Sequence, residues 1–203
     1  MQSNNQRCKQ RNKENDMLEL TPELLNFLRQ NNLFSGFSAV QIEQLLPLLR
    51  EVRVPAGECI IQENAVSDEL YLVKQGELRV TKLEPTTGKE LQLATLQTGA
   101  VAGELTLLDD APRSASVYAA KDSVLLVLSI KELHTLSAGD SAAGSSLYSL
   151  LLQNLARNLS HRMRSANDTM LEDSRKELAG TQARAVMGIV IVTVIVIMSL
   201  YAL

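Results

Sequence analysis

Histidine and catalytic motifs are scarce in this chain of 203 residues. Its two histidines, His134 and His161, have no second ligand-type residue four positions further on, as a helical metal site would require. No nucleophile motif frames a serine, and the pair Asp109 and Asp110, just ahead of Pro112, is interpreted as a solvated turn. We therefore expect no catalytic site, no metal and no cofactor.

Cysteine and secretory features are also sparse. The two cysteines lie far apart, Cys8 in a polar stretch and Cys59 in an apolar one, which predicts reduced thiols in a cytosolic compartment rather than a structural disulfide. Residues 1–16 are polar and lack the apolar region of a secretory signal. They are predicted to be a disordered leader.

The chain has no excess of positive charge, since its formal net charge is −3. Residues 17–145 hold 10 basic and 17 acidic residues, a net charge of −7. A domain of that charge is a poor general binder of nucleic acid, so any anionic ligand must be held by a specific local site. No nucleic-acid partner is expected.

Charge is missing altogether from residues 185–203, nineteen positions that read AVMGIVIVTVIVIMSLYAL. This length is close to the roughly 20 apolar residues that a helix needs to cross a bilayer. Basic residues precede the run at Arg175, Lys176 and Arg184, which places the preceding domain in the cytoplasm. The segment is predicted to be a single transmembrane helix in contact with lipid; a buried core element is the alternative.

The rest of the chain changes its hydrophobic period twice. Thr21 and Ser38 are candidate N-caps of two short helices. From residue 51 onward, apolar residues alternate with polar ones between regularly spaced glycines, which is typical of an antiparallel sandwich or barrel. A short helix over Lys131–Leu136 follows, and helical spacing returns over residues 146–184.

This last helix carries an apolar stripe. Its members recur at helical spacing and are Leu152, Leu155, Leu159, Met163, Ala166 and Met170. The stripe predicts either packing on the chain's own domain or the seam of a homodimer or higher homo-oligomer.

The segment GELTLLDDAPRSASV, residues 103–117, has the parts of an anion site. A glycine lets backbone approach a ligand closely, and the N-terminus of the short helix predicted over LTLLDD attracts anions. Arg113 offers a planar fork that matches a phosphate, and Glu104 can accept a hydrogen bond from a sugar hydroxyl. Taken by themselves, these residue types are more typical of turns and surfaces.

The same segment resembles the phosphate-binding cassette of the cyclic nucleotide-binding domain family, in which Gly-Glu-Leu is followed by a short helix and then Arg-(Ala/Ser/Thr)-Ala. The similarity extends over residues 33 to about 165 and includes Gly57, Tyr71 and Gly76. It departs from the family at Glu63-Asn64, where Gly followed by an acid is usual, and at Ala102, where Phe or Ile is common. The resemblance implies a mainly β fold, an antiparallel β-roll flanked by N-terminal helices and a long C-terminal helix.

The resemblance also implies roles for single residues. Glu104 would accept from the ribose 2′-OH, and Arg113 would pair with the cyclic phosphate. Arg162 would lie near the base. Backbone amides and a hydroxyl would complete the anion site, at Gly103, Leu105, Ser114 and Ala115.

The predicted organisation is a leader over 1–16, a cyclic nucleotide-binding domain over 17–145, a long helix over 146–184 and a membrane helix over 185–203. The predicted function is a membrane-tethered sensor of a cyclic nucleotide, by default cAMP, the commonest ligand in the family, in which binding moves the long helix. The alternatives are a membrane effector of phage defence that responds to a cyclic nucleotide such as cUMP, a domain that binds nothing, and a regulatory fragment of a larger membrane protein.

Overall fold

The computed structural model describes residues 18–105, 111–138, 146–165, 167–168 and 170–172. The chain divides into two compact units between Leu155 and Ala156. The predicted leader, residues 106–110 of the predicted cassette helix and the predicted membrane segment over 185–203 lie outside the described residues.

Two short helices open the first unit, as predicted. Helix α1, Pro22–Gln30, begins after Thr21, whose side chain accepts from the Leu24 amide at 3.2 Å. Helix α2, Ala39–Leu45, begins after Ser38, which forms a capping box with Gln41. Both starts follow from an N-cap oxygen that satisfies a free amide of the first turn. A 3-10 turn, Asn32–Phe34, joins the two helices.

Within the part of the chain that the structure describes, eight strands follow and form two four-stranded sheets. They are β1 (Leu49–Val54), β2 (Cys59–Ile61), β3 (Glu69–Gln75), β4 (Glu77–Leu83), β5 (Glu90–Gln97), β6 (Val101–Ala102), β7 (Ser116–Ala119) and β8 (Ser123–Ser129). The first sheet has the order β1-β8-β3-β6 and the second β2-β7-β4-β5, with all described pairs antiparallel. The prediction of an antiparallel β-roll with flanking helices is confirmed.

The first sheet is buried on both faces. Leu70 and Leu72 of β3 pack with the N-terminal helices in one hydrophobic cluster, the helical core. Tyr71 and Val73, which point the opposite way, pack against the second sheet in another cluster, the roll core. Because alternate side chains of a strand face opposite sides, double burial explains why the β8 sequence SVLLVLS is almost continuously apolar.

Among the described residues, two helices follow the sheets. Helix α3, Ile130–Ala138, contributes Leu133 to the helical core. Helix α4 covers residues 146–165. It presents Leu147, Leu151 and Leu155 to the helical core, and the last two are fully buried. Their spacing of four residues places them on one helix face.

This packing corrects the interpretation of the apolar stripe at Leu155, which fills the core of its own domain and is not available for a dimer seam. Met163 and Met170 are exposed by 67% and 68%. The stripe is therefore buried at Leu155 and exposed at Met163 and Met170. The helix face that packs in the core also carries Leu147 and Leu151, which the predicted stripe did not include.

Cys59 is buried in β2, and the prediction of reduced thiols stays a prediction. Cys8 lies outside the described residues.

Across the described ranges, no helix combines the length and the apolar character that a bilayer crossing demands. The predicted membrane segment was not part of that search, because it lies outside those ranges.

Asn154 provides a test of how α4 is attached to the first unit. Its side-chain amide is 1% exposed and donates to the carbonyls of Leu33 and Ser35 at 2.9 and 2.8 Å. Asn154→Leu removes the donor to both carbonyls, so we expect the free energy of unfolding to fall by about 2–4 kcal/mol in urea denaturation. The control is Gln153→Leu, an exposed neighbour, which should change it by less than about 0.5 kcal/mol. Equal effects of the two substitutions would contradict this attachment.

Candidate functional site

Gly103 lies where β6 leaves the first sheet. Strand β6 pairs with β3 through Leu72 opposite Val101 and Tyr71 opposite Ala102, so the next residue emerges beside the start of β3. Gly103 has φ +82°, a left-handed conformation that favours glycine. A Cβ at this position would lie 2.5 Å from Nη1 of Arg113 and 2.9 Å from the carbonyl oxygen of Glu69. The site therefore needs glycine for its conformation and for its space.

Arg113 lies just before β7 and is only 4% exposed. Its Nη1 donates to the Gly103 carbonyl at 2.9 Å. Its Nη2 donates to the Ser67 hydroxyl at 3.2 Å and to the Glu69 carbonyl. These acceptors come from two segments of chain, so the guanidinium joins the end of β6 to the start of β3.

The backbone of Arg113 is tied to the loop before β3. The Arg113 amide donates to the Ala65 carbonyl at 3.0 Å, and the Asn64 amide donates to the Arg113 carbonyl at 2.8 Å. Asn64 has φ +64°, and asparagine tolerates this left-handed region better than most residues. The turn at Glu63-Asn64, where the sequence departs from the family pattern, is thus closed by Asn64 itself.

Acidic groups surround the buried cation. Burial lowers the pKa of the Arg113 guanidinium, and the neighbouring Tyr71, Glu69, Asp68 and Glu104 oppose that shift. Arginine nevertheless keeps its proton in proteins, so the site holds a permanent positive charge. Glu104 is itself buried, with 7% of its surface exposed. One buried cation beside one buried carboxylate can bind a molecule that carries both an anionic group and a hydroxyl.

The structure brings Gly103, Glu104 and Arg113 together, although ten positions separate the first from the last. Leu105 is 43% exposed. Ser114 is exposed and Ala115 half-buried, directly before β7. The ligand contacts predicted for all these residues stay predictions.

Arg162 is exposed on α4 and belongs to the second compact unit. Its predicted place near a base also stays a prediction. Within the ranges described, no group of three or more His, Cys, Asp or Glu side chains is arranged to hold a metal ion.

The sequence predicted neither the Ser67 hydroxyl nor the Glu69 carbonyl as an acceptor for Arg113. Glu69 precedes Arg113 by 44 positions. Its contribution to Arg113 is a main-chain oxygen, which every residue type supplies, so no sequence signal marks it. The pairing register of β3 with β6 and β8 places it there.

Comparison with known families gives a match of residues 51–140 to the cyclic nucleotide-binding domain. A cGMP-dependent protein kinase of Caenorhabditis briggsae is 36% identical over 101 residues, which are 50% of this chain and 13% of the kinase. The cyclic AMP receptor protein of Thermus thermophilus is 31% identical over 140 residues, which are 69% of this chain and 61% of that protein. The chain therefore spans less than two thirds of either relative.

Solved structures resemble this fold over a similar range. A cyclic nucleotide-binding domain from Methylobacillus flagellatus has a TM-score of 0.64 at 29% identity, covering 74% of this chain and 82% of that one. The catabolite activator protein of Thermus thermophilus has a TM-score of 0.57 at 31% identity, covering 68% and 60%.

Substitution of Gly103 tests the close packing around Arg113. Gly57 is a matched control, since its φ is +83° and nothing lies within 4 Å of an added Cβ. Both Gly→Ala variants carry the left-handed cost of about 1–2 kcal/mol. Gly103→Ala should lose about 1–3 kcal/mol more in urea denaturation, because the Glu69 carbonyl is backbone and cannot turn away. Equal losses in the two variants would show that the space around Gly103 is not restricted as described.

Proposed function

Since this chain contains a cyclic nucleotide-binding domain of the β-roll family, we propose that it is a membrane-tethered cyclic nucleotide sensor, with cAMP as the favoured ligand. The observation that carries the proposal is the pair Glu104 and Arg113, both more than nine-tenths buried and neighbours in space. A buried cation is costly unless anionic or polar partners compensate it. A cyclic phosphate is such a partner.

Each of the two side chains suits a different part of the ligand. The guanidinium of Arg113 has a planar fork of donors that matches a phosphate, and charge-assisted hydrogen bonds of this kind are short and strong. An ionised Glu104 only accepts hydrogen bonds, so it suits the ribose 2′-OH and not the phosphate. Backbone amides near Gly103, Leu105 and Ala115 and the Ser114 hydroxyl complete the anion site.

Signal output is proposed to pass through α4. Its first turns are anchored in the first unit by Leu151, Asn154 and Leu155. Arg162, further along, is the proposed contact for the base, so a bound nucleotide would bias the position of the helix. The exposed part of the stripe, including Met163, is the proposed seam of a homo-oligomer.

The tether is proposed from the charge-free residues 185–203. Arg184 and the basic residues before it support a cytoplasmic nucleotide domain. The net negative charge of residues 17–145 supports the proposal that the protein has no nucleic-acid partner. The proposal of a regulatory role is supported by a sequence in which no catalytic motif was found.

The same charge-free segment favours a second candidate, a membrane effector of phage defence activated by a cyclic nucleotide such as cUMP. A regulatory fragment of a larger membrane protein is the third. Titration with cAMP, cGMP, cCMP and cUMP tests the first two: tightest binding of cAMP supports the sensor, and tightest binding of cUMP supports the effector.

The role of Glu104 is tested with a ligand that lacks one hydroxyl. A hydrogen bond to a charged group contributes about 1.5–3 kcal/mol, so the unchanged protein should bind cAMP roughly ten- to a hundredfold more tightly than 2′-deoxy-cAMP. Glu104→Ala should bind both about equally in isothermal titration calorimetry. The ratio of the two affinities cancels any general weakening of the fold. The control is Glu132→Ala, on the exposed side of α3, which should keep the preference. If Glu104→Ala still binds cAMP more tightly than 2′-deoxy-cAMP, a group other than Glu104 binds the ribose 2′-OH.

The tether is tested by fractionation of cells. The full chain should stay with membranes after carbonate washing, because a spanning helix is held by the hydrophobic effect and not by charge. Removal of residues 185–203 should release it into the soluble fraction, whereas removal of residues 1–16 should not. Release of the full chain by carbonate would refute the tether.

A further inference from the structure

Each sheet ends in an edge strand on either side, and an edge strand can pair with a further strand through its outward backbone groups. In the described ranges the edges are β1 and β6 of the first sheet and β2 and β5 of the second. Proteins protect such edges by making them short or by placing charges or proline on them. β2 has three residues and β6 has two. β1 carries three charges among its six residues, at Arg50, Glu51 and Arg53.

The remaining edge, β5, has none of these protections. It is eight residues long, contains no proline, and has a single charge, on Glu90 at its first position. All of its residues are exposed except Leu96, which is half-buried. Leu91 and Leu93 are 48% and 56% exposed. A long, exposed and apolar edge of this kind favours pairing with another strand.

A bulge interrupts the ladder between β4 and β5. Val80 of β4 lies opposite Ala94 of β5. The next residue of β4, Thr81, lies opposite Gln92, so the ladder passes over Leu93. An extra residue of this kind shifts the alternation of the side chains by one position along the strand.

The side chains of β5 therefore lie on two faces in a symmetric order. Leu96 packs against the roll core, and Thr95 points the opposite way. The Gln92 side-chain amide donates to the Thr95 hydroxyl at 3.1 Å, so Gln92 shares that outward face. By alternation on either side of the bulge, the outward set is Glu90, Gln92, Thr95 and Gln97, and the inward set is Leu91, Leu93, Ala94 and Leu96. This order of faces is the same when it is read from either end of β5.

We propose that β5 is a self-association surface, which pairs antiparallel with β5 of a second copy of this chain about a two-fold axis between Leu93 and Ala94. Residues that lie directly opposite each other in an antiparallel pair point to the same face. In a regular strand, an axis between adjacent residues would set inward side chains opposite outward ones. The bulge at Leu93 removes that conflict, so every pair in the proposed register shares one face.

Residue types match in this register as well as faces. The four pairs, each joining one copy to the other, are Glu90 with Gln97, Leu91 with Leu96, Gln92 with Thr95 and Leu93 with Ala94. Apolar side chains thus meet apolar ones, and the carboxylate of Glu90 meets an uncharged amide, so no like charges oppose each other. A self-complementary patch is what a two-fold dimer requires, and the second copy is therefore the partner that β5 fits.

The interface is small. One strand from each copy buries less than the roughly 1,200–2,000 Å² of a stable complex, so we expect a reversible association that depends on protein concentration. The surface uses none of the site residues described above and none of the proposed seam on α4.

Disulfide trapping in the full-length chain, without nucleotide, tests the pairing. Ala94→Cys places a thiol beside the two-fold axis, where the two copies come within the roughly 4.4–6.8 Å between Cα atoms that a disulfide spans. The control is Arg53→Cys, an exposed position on β1 at the edge of the other sheet. Ala94→Cys should form a reducible dimer on non-reducing gels at least about tenfold faster, because pairing holds its thiols at a high effective concentration.

Both variants keep Cys8 and Cys59, so the unchanged protein gives the background of the trapping experiment. Equal rates of dimer formation in Ala94→Cys and Arg53→Cys would overturn the proposal.

Charge at Gln97 tests the register. In the Ala94→Cys background, Gln97→Glu sets a carboxylate opposite the partner's Glu90 twice in each dimer, and it should slow cross-linking about two- to thirtyfold. Gln97→Lys sets an ammonium group there and should not slow it. Damage to β5 itself would slow both variants, because both substitutions change the same position. Equal slowing, or no slowing by Gln97→Glu, would contradict the proposed pairing.

A third measurement needs no new charge, which matters because Gln97 also lies opposite Glu77 of its own β4. Glu90→Cys and Gln97→Cys, carried by two differently tagged copies, lie opposite each other in the register and should form a mixed dimer. Two copies of Glu90→Cys would hold their thiols seven positions apart along the strands, about 24 Å, and should not cross-link. Cross-linking of Glu90→Cys with itself, or failure of the mixed pair, would show that β5 does not pair in this register.

Discussion

The buried guanidinium of Arg113 is the constraint on which the arrangement of the site depends. A positive charge that is 4% exposed cannot remain in a protein interior without acceptors around it. Its described acceptors lie at the end of β6 and the beginning of β3, so the cation fixes the place where these two segments meet. The absence of a side chain at Gly103 gives it room to reach them.

The two hydrophobic clusters make this placement rigid. The first sheet is buried by helices on one face and by the second sheet on the other, so β3 cannot slip by one residue without turning Leu70 toward the roll core and Tyr71 toward the helices. That register also sets the positions of the Glu69 carbonyl and the Glu69 carboxylate. Apolar packing on both faces of the first sheet therefore determines where the charged groups of the site lie.

Local signals in the sequence predict much of this fold. Thr21 and Ser38 cap the helices that they were expected to cap, because capping depends on a side chain and an amide only three positions away. Glu104 and Arg113 could be predicted as site residues because their residue types and spacing match a family motif. Contacts between distant positions gave no such signal. The link from Arg113 to Ser67 and Glu69 depends on strand register, and the burial of Leu155 depends on which face of α4 meets the helical core.

The central claim is that Arg113 is the anchor for a cyclic phosphate, and isothermal titration of the full-length chain with cAMP tests it most directly. Arg113→Lys keeps the charge but loses the fork of donors, and it should bind cAMP at least about tenfold more weakly than the unchanged protein. Arg53→Lys, an exposed arginine of β1, should bind as the unchanged protein does. A folded Arg113→Lys variant with undiminished affinity for cAMP would contradict the account.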